Sequence, residues 1–87
     1  MYLHLGQSVV VPHGDVLGIF DLDNASSSRE TRSFLSRAER EGRVINLSAD
    51  IPRSFAVCCH PGEDAYVYLS QLSSAALKGR MENGSFE

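Results

Sequence analysis

The sequence predicts an α+β domain, a small and mostly antiparallel sheet built from two β-meanders, with one central amphipathic helix and a short C-terminal helix. Three observations predict it. Apolar, β-branched runs fill the first 21 residues between glycine-containing turns, a 3.6-residue apolar period runs from Arg29 to Glu41, and a second series of strand-like runs and turns follows Gly42. A chain of 87 residues has room for one modest core, so a single domain is expected over residues 1–80, with 81–87 as a C-terminal tail.

In chain order, Tyr2–Leu5, Ser8–Pro12 and Val16–Asp21 read as strands, separated by Gly6-Gln7 and by a His13-Gly14 turn. Val9-Val10-Val11 and Val16-Leu17-Gly18-Ile19-Phe20 are apolar on both faces, which predicts that more than one helix covers the sheet. A second subunit is the expected cover. Leu22–Ser28 reads as a loop ending in a helix start, because Ser27-x-x-Glu30 fits a capping box that satisfies two orphan backbone N–H groups. Within the helix Thr31, Phe34, Leu35 and Ala38 fall between about 140° and 240° from Arg29, one core-facing stripe, and Gly42 supplies a left-handed stop. Strands follow over Val44–Ser48, Ser54–Cys59 and Ala65–Ser70, with turns at Asp50-Ile51-Pro52 and His60-Pro61-Gly62-Glu63. A last helix is expected over Ser73–Lys78, capped by Ser73 or Ser74 and stopped by Gly79.

With 43% apolar and 22% charged residues the composition is that of a globular protein. The N-terminal residues lack the basic start and apolar stretch of a signal peptide, and no run approaches the ~18 apolar residues of a membrane span. A cytoplasmic location is expected, with no membrane partner. Cys58 and Cys59 are adjacent, so on a strand they point to opposite faces, where a disulfide between them would strain the backbone. The formal net charge of −3 is unevenly spread. Residues 1–28 carry Asp15, Asp21 and Asp23 with no Lys or Arg, whereas residues 29–43 carry Arg29, Arg32, Arg37, Arg40 and Arg43 against Glu30, Glu39 and Glu41.

On the helical wheel Arg29, Arg32, Ser33, Ser36, Arg40 and Arg43 lie within about 60° of one direction, opposite the apolar stripe. Such a face can follow a phosphate backbone, guanidinium forks and hydroxyls meeting phosphate oxygens. It can equally be a solvated face balanced by the neighbouring glutamates. Arg53, beside the Pro52 turn, is a further contact point for phosphate or a hydrated loop arginine. The strand end Asp21-Leu22-Asp23 has the Asp-x-Asp of a phosphatase nucleophile loop. The chain is too short for the parallel sheet, lysine and second acidic pair such an enzyme needs, and no enzyme activity is expected. Cys58, Cys59 and His60 lack the spacing of a zinc site, so neither metal nor cofactor is expected. Tyr66 and Tyr68 alternate along a strand and read as half-buried aromatics, with a base-stacking platform as the alternative.

Met1–Gly6, Gly18-Ile19-Phe20-Asp21-Leu22-Asp23, Phe34–Arg43, Ile51-Pro52-Arg53-Ser54-Phe55 and Val67–Ser74, taken together, resemble the RemA/RemB-like family of extracellular-matrix regulators of Gram-positive bacteria, its RemB branch above all. The resemblance runs through residues 1–80 in order. It implies a transcription-linked role in biofilm matrix expression, with duplex DNA bound by a ring-shaped homo-oligomer that presents arginines at its rim. Carried over by position, Arg53 matches an arginine of the basic turn that RemA uses on DNA. The chain departs from RemA in having Pro52-Arg53 where RemA has consecutive arginines, and His13-Gly14-Asp15 where RemA has an arginine before its third strand. Arg53, Arg32, Arg29 and Arg40 are the expected DNA contacts. The alternative is a self-associating protein-interaction module without DNA binding, which would recruit a second protein such as a RemA-like partner.

Overall fold

The computed structural model describes residues 2–7, 9–22 and 28–82. The class is α+β, as expected: strands β1 (Tyr2–Gly6), β2 (Val9–Pro12), β3 (Val16–Asp21), β4 (Val44–Asn46), β5 (Ser54–Cys58) and β6 (Tyr66–Ser70), with helices α1 (Arg29–Arg40) and α2 (Ser74–Glu82). The strands do not form two consecutive meanders. β1 and β2 make a separate antiparallel hairpin, and the other four form a mixed sheet in the order β3-β5-β6-β4, with β4 parallel to β6.

Burial explains the rearrangement. A lone two-stranded ribbon is marginal in water, and the hairpin lies flat on the sheet with Leu3, Leu5 and Val11 inward against Ile19, Ala56, Cys58 and Leu77. On the other face α1 sets Ala38, Phe34 and Leu35 against Phe55, Val57, Val67 and Leu69. β5 is therefore sandwiched: Phe55 and Val57 point to α1, Ala56 and Cys58 to the hairpin, and all five of its residues are buried. The second cover that the apolar runs called for comes, on the hairpin side, from the chain itself.

Local signals act as expected at α1, shifted by one residue. The helix is capped by Ser28, whose hydroxyl accepts from Thr31 N at 3.4 Å and donates to Glu30 Oε1 at 3.0 Å. Ser27, the expected cap, lies outside the described residues. At the other end Gly42 (φ +73°) turns the chain, with Arg43 N on Ala38 O at 2.8 Å and Gly42 N on Glu39 O at 3.1 Å, the paired bonds of a Schellman stop.

α2 corrects the expected boundary. Ser73 caps it, its hydroxyl accepting from Ala76 N at 3.0 Å, but the helix passes through Gly79 to Glu82. Leu77 is fully buried and Met81, one turn on, packs on the same cluster. That burial outweighs the ~1 kcal/mol that a glycine costs inside a helix. Two residues of the expected tail, Met81 and Glu82, thus belong to the helix, and 83–87 lie outside the described residues.

Candidate nucleic-acid interface

The apolar stripe fixes how α1 is rolled. With Ala38 buried and Thr31, Phe34 and Leu35 half-buried against the sheet, Arg29, Arg32, Ser33, Ser36, Arg37 and Arg40 are all exposed on the outer side. Two shallow depressions run along this surface, one lined by Arg29, Glu30, Ser33, Phe34, Arg37 and Arg40, the other by Arg29, Arg32, Ser33, Ser36 and Arg40. Three of the four expected contact residues, Arg29, Arg32 and Arg40, therefore share one face.

Of the flanking acids, Glu30 itself lines the first depression, whereas Glu41 is engaged by Arg43. Glu30 sits at the helix N-terminus, where backbone N–H and the Ser28 hydroxyl hold its carboxyl below the usual carboxylate range. Glu41 accepts from Arg43 Nε at 2.9 Å and Nη2 at 2.5 Å. Arg43 accordingly leaves the cationic face to which the wheel assigned it. Its Nη1 donates to the carbonyl of Ala65, leaving the side chain 14% exposed. Beyond the last helical turn, wheel angles no longer describe direction.

Arg53 is exposed but stands apart from those depressions. Its backbone is pinned at the sheet end, with N donating to Ser70 O at 2.8 Å and O accepting from Leu22 N at 3.1 Å. Pro52 next to it is half-buried and shares a small apolar depression with Leu22, Leu35, Glu39, Val44 and Leu69.

The other candidates resolve as follows. Asp21 ends β3 opposite Ser54, and Asp23 lies outside the described residues. Cys58 is buried, and its thiol is pushed up to about 11, first by burial and then by the charge of Asp15. Cys59 Sγ donates to Glu63 O at 3.1 Å. His60 Nδ1 lies 2.8 Å from Asp15 Oδ2, a pairing that raises its pKa. Among the described residues no group of three or more His, Cys, Asp and Glu side chains is placed to hold a metal ion. Tyr66 is exposed, whereas Tyr68 packs on the hairpin-side core, so the two do not form one platform. Among the described residues no helix is long and apolar enough to cross a membrane.

One feature escaped sequence reasoning. α1 lies over β6 and β4 and leaves β3 bare on that face. Leu17 and Phe20 are 66% and 43% exposed, and with Glu30, Thr31, Phe34, Phe55 and Val57 they line a groove of about 280 Å³. The ring of Phe20 stacks on Phe55, centroids 5.2 Å apart, and lies over Gly18. The two-sided apolar character of Val16–Phe20 was the available signal.

No family model matches the chain. Over 82 residues, 94% of this chain and 91% of the other, it is 34% identical to the extracellular matrix regulatory protein B of Bacillus subtilis (strain 168).

Proposed function

The chain belongs to the family of extracellular matrix regulatory protein B, and from that premise we propose that it is a DNA-associated transcriptional regulator of extracellular-matrix genes that works as a cytoplasmic homo-oligomer. The observation that carries the reading is the outer face of α1, where Arg29, Arg32 and Arg40 alternate with Ser33 and Ser36 around shallow depressions. Guanidinium groups meet phosphate as paired forks, and serine hydroxyls add neutral donors. Arg53 adds a cation at the sheet end. A face of this kind reads backbone charge, so binding is salt-sensitive and weakly sequence-selective. With a formal net charge of −3, each subunit alone binds weakly, and repetition in an assembly multiplies that weak affinity.

Titration of labelled duplex DNA across a salt series, run beside light scattering, tests the proposal. Affinity that falls at least tenfold between low and moderate salt, on an assembled species, supports it. Absence of binding at low salt overturns it. In that event the groove beside Phe20 favours the second reading, a self-associating module that recruits another protein, such as a relative of its own family, without touching nucleic acid.

A further inference from the structure

A cavity of about 290 Å³ opens where three parts of the chain meet: the turn after β1 at Gly6-Gln7, the segment after β4 at Leu47 and Ala49, and the passage from β6 into α2. Hydrogen bonds fix its rim. Gln7 holds φ +48°, a left-handed conformation uncommon outside glycine, while its Nε2 donates to Leu47 O at 2.8 Å and its carbonyl accepts from His4 Nε2 at 2.8 Å. Gln71 Oε1 accepts from Ala49 N at 3.2 Å, which orients the side-chain amide and leaves its NH2 without a partner among the described residues. The hydroxyl of buried Ser70 is used within the fold, donating to Leu5 O and accepting from Leu72 N, each at 3.1 Å.

Arg80 reaches this cavity from α2. Its Nη1 donates to His4 O at 3.0 Å, which fixes the guanidinium and leaves Nε and Nη2 without a hydrogen bond among the described residues. Arg80 is half-buried, as Arg43 is, but Arg43 is answered by Glu41, whereas Arg80 forms no ion pair among the described residues. None of the described residues lining the cavity is acidic. A cation drawn partly out of water without a counter-charge raises the free energy of the fold, and an anion placed beside it lowers it again.

We propose that this cavity binds a small monocarboxylate, its head gripped by Arg80 and its apolar body resting on Leu5, Leu47 and Leu72. A planar guanidinium fork matches a planar carboxylate. The chemistry selects against phosphate, because Arg80 is the one Lys or Arg among the described lining residues and His4 Nε2 is already engaged by Gln7, so a dianion stays half-compensated. The free NH2 of Gln71 adds a neutral donor. A volume at the lower end of small-molecule pockets limits the body to a short branched chain or a single ring. Such a ligand touches hairpin, β4 segment and α2 at once, so its binding stabilises the folded chain. The proposal does not rest on the DNA reading.

Isobutyrate and benzoate, titrated separately into the full chain and followed by heteronuclear NMR of the backbone amides, test the site. Saturable shifts at Gln7, Ala49 and Gln71, with a higher thermal midpoint, are expected for at least one of the two acids. The uncharged isobutyramide and benzamide should bind at least about tenfold more weakly. Gln71→Glu changes an exposed residue, keeps an acceptor for Ala49 N and sets a like charge at the cavity mouth, so carboxylate affinity should fall at least about tenfold. Arg80→Lys keeps the charge, loses the fork and should weaken binding likewise; if circular dichroism shows that it does not fold, Gln71→Glu decides alone. No saturable shift with either acid at high millimolar concentration, amides that bind as tightly, inorganic phosphate that binds as tightly at the same residues, or an affinity that Gln71→Glu leaves unchanged each overturns the proposal. Duplex DNA has no part in these readouts, so the pocket and the DNA reading stand or fall separately.

Discussion

A Cβ at Gly18 would stand 2.6 Å from Cζ of Phe20, because the ring lies over the bare glycine backbone. Gly18→Ala must therefore push the ring off its stack on Phe55, an aromatic pair of about 1 kcal/mol. Against that stands a gain of similar size, about 0.4–1 kcal/mol, from a stiffer unfolded chain. In thermal or urea unfolding the single variant is expected to lie within about 1 kcal/mol of wild type. With Phe20→Ala already present the same change becomes stabilising, and a double-mutant cycle returns a coupling of about 1 kcal/mol. Additivity would show that ring and glycine do not interact.

Replacing Arg29, Arg32 and Arg40 together with alanine changes only exposed helix positions. Folding stability is expected to shift by about 0.5 kcal/mol or less per site. Duplex affinity at low salt should fall, and the slope of log K against log salt should flatten by about 0.9 for each phosphate that an arginine no longer neutralises. An unchanged slope would remove the helix from the DNA site.

Gly79 lies within α2, and a Cβ there meets nothing within 4 Å. Gly79→Ala is expected to stabilise the protein by about 0.5–1 kcal/mol, read as a higher midpoint in urea. A lower midpoint would mean that the helix does not continue past position 78 in solution.

The pKa of His60 is raised in the fold by its hydrogen bond to Asp15, by that carboxylate's charge and then by Glu63. A raised folded pKa gives stability that is complete below the unfolded value of about 6.5 and is lost as pH rises through the folded value. The midpoint difference between wild type and His60→Gln should therefore be largest below the unfolded value of about 6.5 and shrink as the pH rises above it. The effect is small, because the imidazole is largely in solvent. A difference that grows with pH would contradict the pairing.

Much of this fold was legible locally. At α1 the apolar period, a serine cap and Gly42 agree, and the helix appears where they place it, to within a residue or two. Strand partners were not legible, since the pairings of β3 with β5 and β4 with β6 join segments distant in sequence that carry no mark of one another. Gly79 misled because a local stop signal yields to the burial of Leu77 and Met81. For the candidate site, the wheel found the exposed face of Arg29, Arg32 and Arg40 but not the retreat of Arg43, which the distant Ala65 carbonyl draws inward. The apolar doubling of Val16–Phe20 called for a second cover. The hairpin supplies it on one face only, and α1 stops short of β3 on the other.

The position of β4 ties assembly to synthesis. Val44–Asn46 has a single ladder neighbour, β6, which the ribosome makes some twenty residues later. β3 likewise waits for β5. A nascent chain thus holds β3, α1 and β4 ready while its central strands are still unmade, and the four-stranded sheet closes only when Tyr66–Ser70 has left the exit tunnel. Stalling translation before Ser54–Cys58 has left the tunnel should leave a hairpin and a helix with no sheet to rest on.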